Sequence, residues 1–143
     1  MSGDLSGFSI FELYKSEADS HLAALSDGLL AIEANPNDLS QIEQLMRAAH
    51  SIKGAAAIAE IDLIVDLAHA MEDCFVDAQK GVEKLTSRRV DQLLSGVDVI
   101  GETTQLSEDE VDQWRSSRSG VCRDLSESLR KPATTSEPVA VQD

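Results

Sequence analysis

The feature that most constrains the fold is a helical periodicity, in which apolar residues recur three and four positions apart in five successive segments. This spacing places the apolar side chains on one stripe of an α-helix, and the stripe must be buried against other helices. The first segment runs from about Phe8 to Ala34. It ends there because Pro36 biases the residue before it out of the helical region.

Three further helices are indicated by their start and stop signals. Asp38, with Gln41 three residues later, resembles a capping box at the start of the second helix. Asp62 is the predicted cap of the third helix, which ends near Gly81, a favoured residue just after a helix. The fourth helix begins near 86–87. Short breaks between amphipathic helices favour antiparallel neighbours, so residues 1–104 are predicted to form an all-α, up-down-up-down four-helix bundle.

A fifth helix is predicted within residues 105–130. Ser107 and Glu110 form a second capping box, and the segment extends to about Arg130. This segment is more polar than the others, which indicates an accessory helix rather than a fifth member of the bundle. Its predicted buried positions are Val111, Trp114, Val121 and Leu125. Residues 131–143 contain two prolines and small polar residues, a composition typical of a flexible linker.

The charge and composition exclude several classes of function. Twelve Lys and Arg against 26 Asp and Glu give a net charge of −14, and no basic stripe suited to nucleic acid or to acidic lipid is visible. No segment approaches the roughly 20 apolar residues that span a bilayer, and the N-terminus lacks the features of a secretion signal. Cys74 and Cys122 lack the spacing of metal ligands and are typical of reduced thiols. A cytoplasmic protein without a nucleic-acid or membrane partner is expected.

One histidine has neighbours suited to phosphoryl chemistry. Successive helical residues differ by about 100°, which places His50 roughly 120° from the centre of its apolar stripe, on the shoulder of the core. Lys53 and Gly54 share its face. An imidazole nitrogen is a nucleophile near neutral pH, and a lysine offers a positive charge to phosphoryl oxygens. Gly54 leaves room for a bulky partner, although glycine within a helix costs about 1 kcal/mol relative to alanine.

The third helix supplies a possible orienting group. His69 and Glu72 lie three residues apart on one face, which antiparallel packing can bring beside His50. A carboxylate there could accept the proton on Nδ1 and fix the tautomer of the ring. The same residues could be considered metal ligands, but bundle metal sites need several carboxylates on facing helices. No metal site is therefore predicted.

The segment from 46 to 81, MRAAHSIKGAAAIAEIDLIVDLAHAMEDCFVDAQKG, resembles the N-terminal P1 domain of CheA-type chemosensory histidine kinases, a histidine-containing phosphotransfer (Hpt) domain. The similarity covers roughly residues 8 to 104, is closest to the hybrid kinases of Wsp-like systems, and has AAHSIKGAA as its specific core. It implies that His50 is phosphorylated on Nε2. It also matches four residues to the family's motifs: Lys53, Gly54, His69 and Glu72. Glu60 departs from the family, which often has glycine where the second helix ends.

The resemblance implies a phosphorelay module. His50 would accept a phosphoryl group from the ATP-binding domain of a histidine kinase and pass it to an aspartate of a response-regulator receiver domain. The sequence contains no P-loop and no Gly-rich nucleotide lid, so the chain is not expected to be an enzyme on its own. It would need no cofactor, since partner domains would supply ATP and Mg²⁺, and it would be part of a longer histidine kinase. The alternative is a structural interaction bundle in which His50 is incidental.

Overall fold

The computed structural model describes residues 9–132, which form five α-helices and no β-strand. A short 3-10 turn, Glu108–Glu110, leads directly into the fifth helix. Phe8, the predicted start of the first helix, lies outside the described residues, as does the predicted linker apart from its first two positions. The helices are α1 (Ile10–Ala34), α2 (Leu39–Ile58), α3 (Asp62–Gln79), α4 (Ser87–Thr103) and α5 (Val111–Arg130).

The first four helices form the predicted up-down-up-down bundle. Each packs against the next in sequence, α4 returns to pack against α1, and α5 lies against α3 and α4. The apolar stripes meet in one continuous core. Leu25, Ile52, Leu67 and Leu93, one from each bundle helix, are completely buried there. None of the helices in residues 9–132 is both long enough and apolar enough to cross a membrane.

The helix starts confirm the predicted cap of α2 and the predicted Ser107–Glu110 capping box, and they correct the predicted cap of α3. The side chain of Asp38 accepts a hydrogen bond from the backbone N–H of Gln41 at 3.1 Å, and that of Thr86 caps α4 in the same way. Asp62 is not a cap: it is the first residue of α3, and the cap position belongs to Ile61, which makes no side-chain cap bond. Ile61 is fully buried, so apolar packing fixes the start of this helix.

One predicted buried position of α5 is also wrong. Val121 is 42% exposed, whereas Cys122 beside it is buried. Cys122 and Leu129 are seven residues apart, which is close to two whole turns of a helix, so both lie on one face and Val121 points about 100° away from Cys122. The inward face of α5 therefore follows Trp114, Cys122 and Leu129, which belong to the same core as the bundle.

A buried arginine holds the C-terminal end of α5. The guanidinium of Arg89 on α4 donates to the backbone carbonyl of Lys131 at 2.6 Å and to that of Ser128 at 3.2 Å. The same group contacts Gln92 and Glu83, and only 4% of its side chain is exposed. Carbonyls at the C-terminal end of a helix lack the full set of helical partners, so this cation supplies a donor to two carbonyls there.

The turn after α2 forms around Glu60, at the position where the resemblance indicated that glycine is often found. Glu60 has a φ of 61°, in the left-handed region. The N–H of Ile61 donates to the carbonyl of Ala56, and the N–H of Glu60 donates to that of Ala57. These two bonds form a Schellman motif. The end of α3 has the same pair of bonds around Gly81, whose φ is 75°.

We expect Glu60→Gly to stabilise the fold, because a left-handed conformation is strained for a residue with a Cβ. The gain should be about 0.5–1 kcal/mol, which is the strain released minus the added entropy of glycine in the unfolded chain. Urea unfolding monitored by circular dichroism measures it. Glu60→Ala is the control, since it removes the carboxylate but keeps the Cβ. Equal stabilisation by both variants would contradict the strain argument.

Candidate functional site

His50 lies on the exposed shoulder of α2, as its spacing predicted. Its side chain is 65% exposed, whereas its neighbour Ala49 and Ile52 on the next turn are buried. A shallow depression borders the ring, and it is lined by Met46, Arg47, Ser51 and Glu72 as well as by His50 itself. One edge of the imidazole is therefore accessible to an approaching group.

A carboxylate from α3 contacts the other edge of the ring. Oε2 of Glu72 lies 2.9 Å from Nδ1 of His50, and Oε1 of the same carboxylate lies 2.7 Å from Nζ of Lys53. Only 15% of the Glu72 side chain is exposed. The two oxygens thus connect α3 to two residues of α2 that lie one turn apart.

The electrostatics of this carboxylate determine which ring nitrogen is free. Burial alone would raise the pKa of Glu72, but the hydrogen bonds and charges of Lys53 and His50 outweigh burial and hold the pKa below its usual value. The carboxylate is therefore ionised at neutral pH and can only accept hydrogen bonds. Nδ1 must donate to it, so in the neutral ring Nε2 carries the lone pair.

Gly54, on the turn after His50, borders open space. A Cβ built at this position would meet no atom within 4 Å beyond its two chain neighbours and the nearby backbone of its own helix. The absence of a side chain is therefore not required by packing inside the domain. This geometry is compatible with the predicted role of Gly54 in admitting a partner.

The structure does not bring His69 to His50. Nε2 of His69 lies 3.7 Å from Oδ1 of Asp73 on the same helix, and its side chain is 52% exposed. No hydrogen bond in the part of the chain that the structure describes joins His69 to His50 or to Glu72. The orienting contact predicted for this pair is thus made by Glu72. A shared helix face did not determine the direction in which His69 points.

Two ion pairs at the site were not foreseen. Lys53, expected to face a phosphoryl group, is engaged with Glu72. Arg47 lies one turn before His50 and is paired with Glu43 through two hydrogen bonds of 2.8 and 3.2 Å. The signal for Arg47 was present in the sequence, since its spacing from His50 places both on one face. Within residues 9–132, no group of three or more His, Cys, Asp or Glu side chains is arranged to hold a metal ion.

The chain matches a known family over most of its length. The sequence pattern of the Hpt domain matches residues 9–117. Among curated proteins, the chemotaxis protein CheA of Borreliella burgdorferi is 31% identical over 103 residues, which are 72% of this chain and 12% of that protein. The sensor histidine kinase CheAY of Helicobacter pylori is 33% identical over 91 residues, 64% of this chain and 11% of that protein. The chain thus spans only a small part of these relatives.

Two solved structures share the fold. The CheA phosphotransferase domain from Thermotoga maritima superposes with a TM-score of 0.66 at 30% identity, covering 69% of this chain and 96% of that one. The phosphorylated P1 domain of CheA3, in complex with CheY6 from R. sphaeroides, superposes with a TM-score of 0.67 at 20% identity. The second match covers 84% of this chain and 94% of that one, and at this identity it shows the fold alone.

We expect the stability contributed by Glu72 to depend on pH. The native pKa of Glu72 lies below its usual value of 4.5, so its contribution is complete above about pH 4.5 and is lost as the pH falls through the native pKa. Glu72→Gln should therefore lower the free energy of unfolding at pH 7 by about 1.5–3 kcal/mol, the range for hydrogen bonds to charged groups. This deficit should shrink below pH 4.5. Urea unfolding between pH 7 and pH 3 measures it.

The matched control is Asp73→Asn, which changes the adjacent and largely exposed carboxylate by the same chemistry. This variant should change the free energy of unfolding little between pH 7 and pH 3, because exposed ion pairs contribute little to stability. A deficit for Glu72→Gln that stayed constant down to pH 3 would show that the ionised form is not the stabilising one.

Proposed function

Because the chain belongs to the Hpt domain family, we propose that it carries phosphoryl groups on His50 in a two-component relay. In this proposal His50 accepts the group from the ATP-binding domain of a histidine kinase. It then passes the group to an aspartate of a response-regulator receiver domain. The observation that supports His50 as the carrier is the hydrogen bond from its Nδ1 to the ionised Glu72, which leaves Nε2 exposed with its lone pair available.

Each half of the relay is a displacement at phosphorus. In the first, the Nε2 lone pair forms an N–P bond to the γ-phosphoryl group of ATP, and the P–O bond to ADP breaks. In the second, a carboxylate oxygen of the receiver forms a P–O bond, the N–P bond breaks, and its electron pair returns to Nε2. The Nδ1 proton remains between the ring and Glu72, whose negative charge stabilises the cationic ring in both steps.

The proposed roles of the other residues follow from their contacts. Glu72 orients the imidazole, and Lys53 keeps Glu72 ionised from the side opposite His50. With three N–H donors, the ammonium of Lys53 has further donors for phosphoryl oxygens, so a direct contact with the phosphoryl group stays a prediction. Gly54 provides the open surface on which a partner domain approaches. The orienting role of His69 also stays a prediction, and its contact with Asp73 does not support it.

The chain alone is a carrier rather than a catalyst in this proposal. ATP and Mg²⁺ enter with the partner domains, and the chain is one module of a histidine kinase. The small share of CheA that it matches supports this proposal, since the 89 matched residues are 13% of the CheA of Halobacterium salinarum. The receiver partner is supported by the complex of a phosphorylated P1 domain with CheY6. The Wsp-like subtype and the cytoplasmic location stay predictions.

Incubation with the ATP-binding domain of a CheA-type kinase and γ-labelled ATP tests the proposal. We expect the label to be stable in base and labile in acid, as a phosphoramidate is, and to be absent from His50→Gln. His21→Gln is the matched control, because it removes a histidine of α1 outside the site and should retain the label. If His50→Gln were labelled like the unmodified chain, the structural interaction bundle would be the better account.

Gly54→Ala should separate folding from phosphotransfer. Alanine favours a helix over glycine and meets no atom at this position, so the variant should be more stable by about 0.5–1 kcal/mol. Transfer to and from partner domains should nevertheless be slower, because the added methyl group projects from the docking surface. Thermal unfolding and rapid-quench transfer rates measure the two effects.

Gly120→Ala is the control for this variant. Gly120 lies within α5 and also borders open space, so it should give a similar gain in stability with unchanged transfer rates. Unchanged transfer in Gly54→Ala would remove Gly54 from the docking surface.

A further inference from the structure

Arg47 is a cation beside His50 that the proposed roles leave unused. It lies one helical turn before His50, and the side chains of both line the same shallow depression. Its side chain is 71% exposed, and its only described partner is Glu43, one turn further back on α2. Residues three apart on a helix have Cβ atoms about 5–6 Å from each other, so the long Arg47 side chain can reach a group attached to the His50 ring.

The charges of the resting site balance before any phosphoryl group arrives. Lys53 is paired with Glu72, and Arg47 is paired with Glu43. A phosphoryl group on Nε2 adds close to two negative charges to a chain whose net charge is already −14. The cation least constrained by burial is Arg47, since Lys53 is only 26% exposed and is held at 2.7 Å from a largely buried carboxylate.

We propose that Arg47 leaves Glu43 when His50 is phosphorylated and binds the phosphoryl oxygens. This inference rests on the proposed function, because it concerns the phosphorylated state of the same histidine. The guanidinium fork donates two parallel N–H bonds to oxygens of one phosphoryl group, which a single ammonium cannot reproduce. Glu43 is a competitor for the same guanidinium, so it opposes phosphorylation in proportion to the strength of its ion pair with Arg47.

Phosphoramidate, a small chemical donor, tests this proposal without a partner protein. Nε2 of His50 forms an N–P bond to the donor phosphorus, the donor's own P–N bond breaks, and ammonia leaves. We expect Arg47→Gln to lower the extent of His50 labelling at equilibrium by about three- to tenfold. A loss of this size lies between that expected for an exposed ion pair and that expected for a charge-assisted hydrogen bond. Arg47→Lys should give an intermediate loss. Phosphorus NMR should show a raised pKa for the second ionisation of the phosphoryl group in Arg47→Gln.

Two comparisons make the test specific to the contact. Arg123→Gln removes an exposed arginine of α5 and changes the net charge equally, so it should leave the labelling unchanged. Glu43→Gln should increase labelling by about two- to threefold, since it frees Arg47. This increase should vanish when Glu43→Gln is combined with Arg47→Gln, because the two residues act through one interaction.

The outcomes distinguish this inference from the proposed function. If the unmodified chain takes no label on His50, the carrier function fails. If it is labelled and Arg47→Gln is labelled equally, with an unchanged phosphorus titration, only the role of Arg47 is overturned. An equal loss in Arg47→Gln and Arg123→Gln would also overturn it, since it would show a general effect of net charge. A loss seen with a kinase but not with phosphoramidate would assign Arg47 to partner docking instead.

Discussion

The geometry of the candidate site depends on one carboxylate of α3 that contacts two residues of α2. Glu72 reaches from α3 to two residues of α2, with one oxygen at Nδ1 of His50 and the other at Nζ of Lys53. Burial would favour the neutral acid, and the two cationic or hydrogen-bonding partners reverse that preference. The packing of α2 on α3 therefore sets the tautomer of the histidine. The same side chain thus joins the two helices and orients the imidazole.

The helices were predictable where their signals are local. Asp38 and Thr86 cap α2 and α4 because a short side chain can reach a backbone N–H within the same turn. The wrong predictions concern positions where packing against another helix determines the local structure. Ile61 replaces the expected cap of α3, and Cys122 rather than Val121 faces inward on α5. Both depend on which neighbouring helix is present, and the periodicity of one segment does not contain that information.

In the candidate site, too, the sequence predicted some features and not others. Spacing along α2 predicted that His50 is exposed, and spacing along α3 predicted that Glu72 can face it. Neither spacing predicted that Lys53 would form an ion pair with the same carboxylate, or that His69 would lie beside Asp73. Sequence spacing assigns a residue to a face of a helix, whereas its partner depends on rotamers and on competing charges. The glutamate at position 60 raised doubt about a turn that the backbone hydrogen bonds nevertheless form.

The arginine buried under the last turn of α5 bears on where this folded unit stops. The Hpt sequence pattern ends at 117, midway along α5, but Arg89 finds its carbonyl acceptors at Ser128 and Lys131. A polypeptide cut at the end of the pattern would lose these two acceptors, and it would also lose Cys122 and Leu129, which belong to the common core. Residues more than ten positions beyond the end of the sequence pattern therefore contribute to the packing and hydrogen bonding of the folded unit.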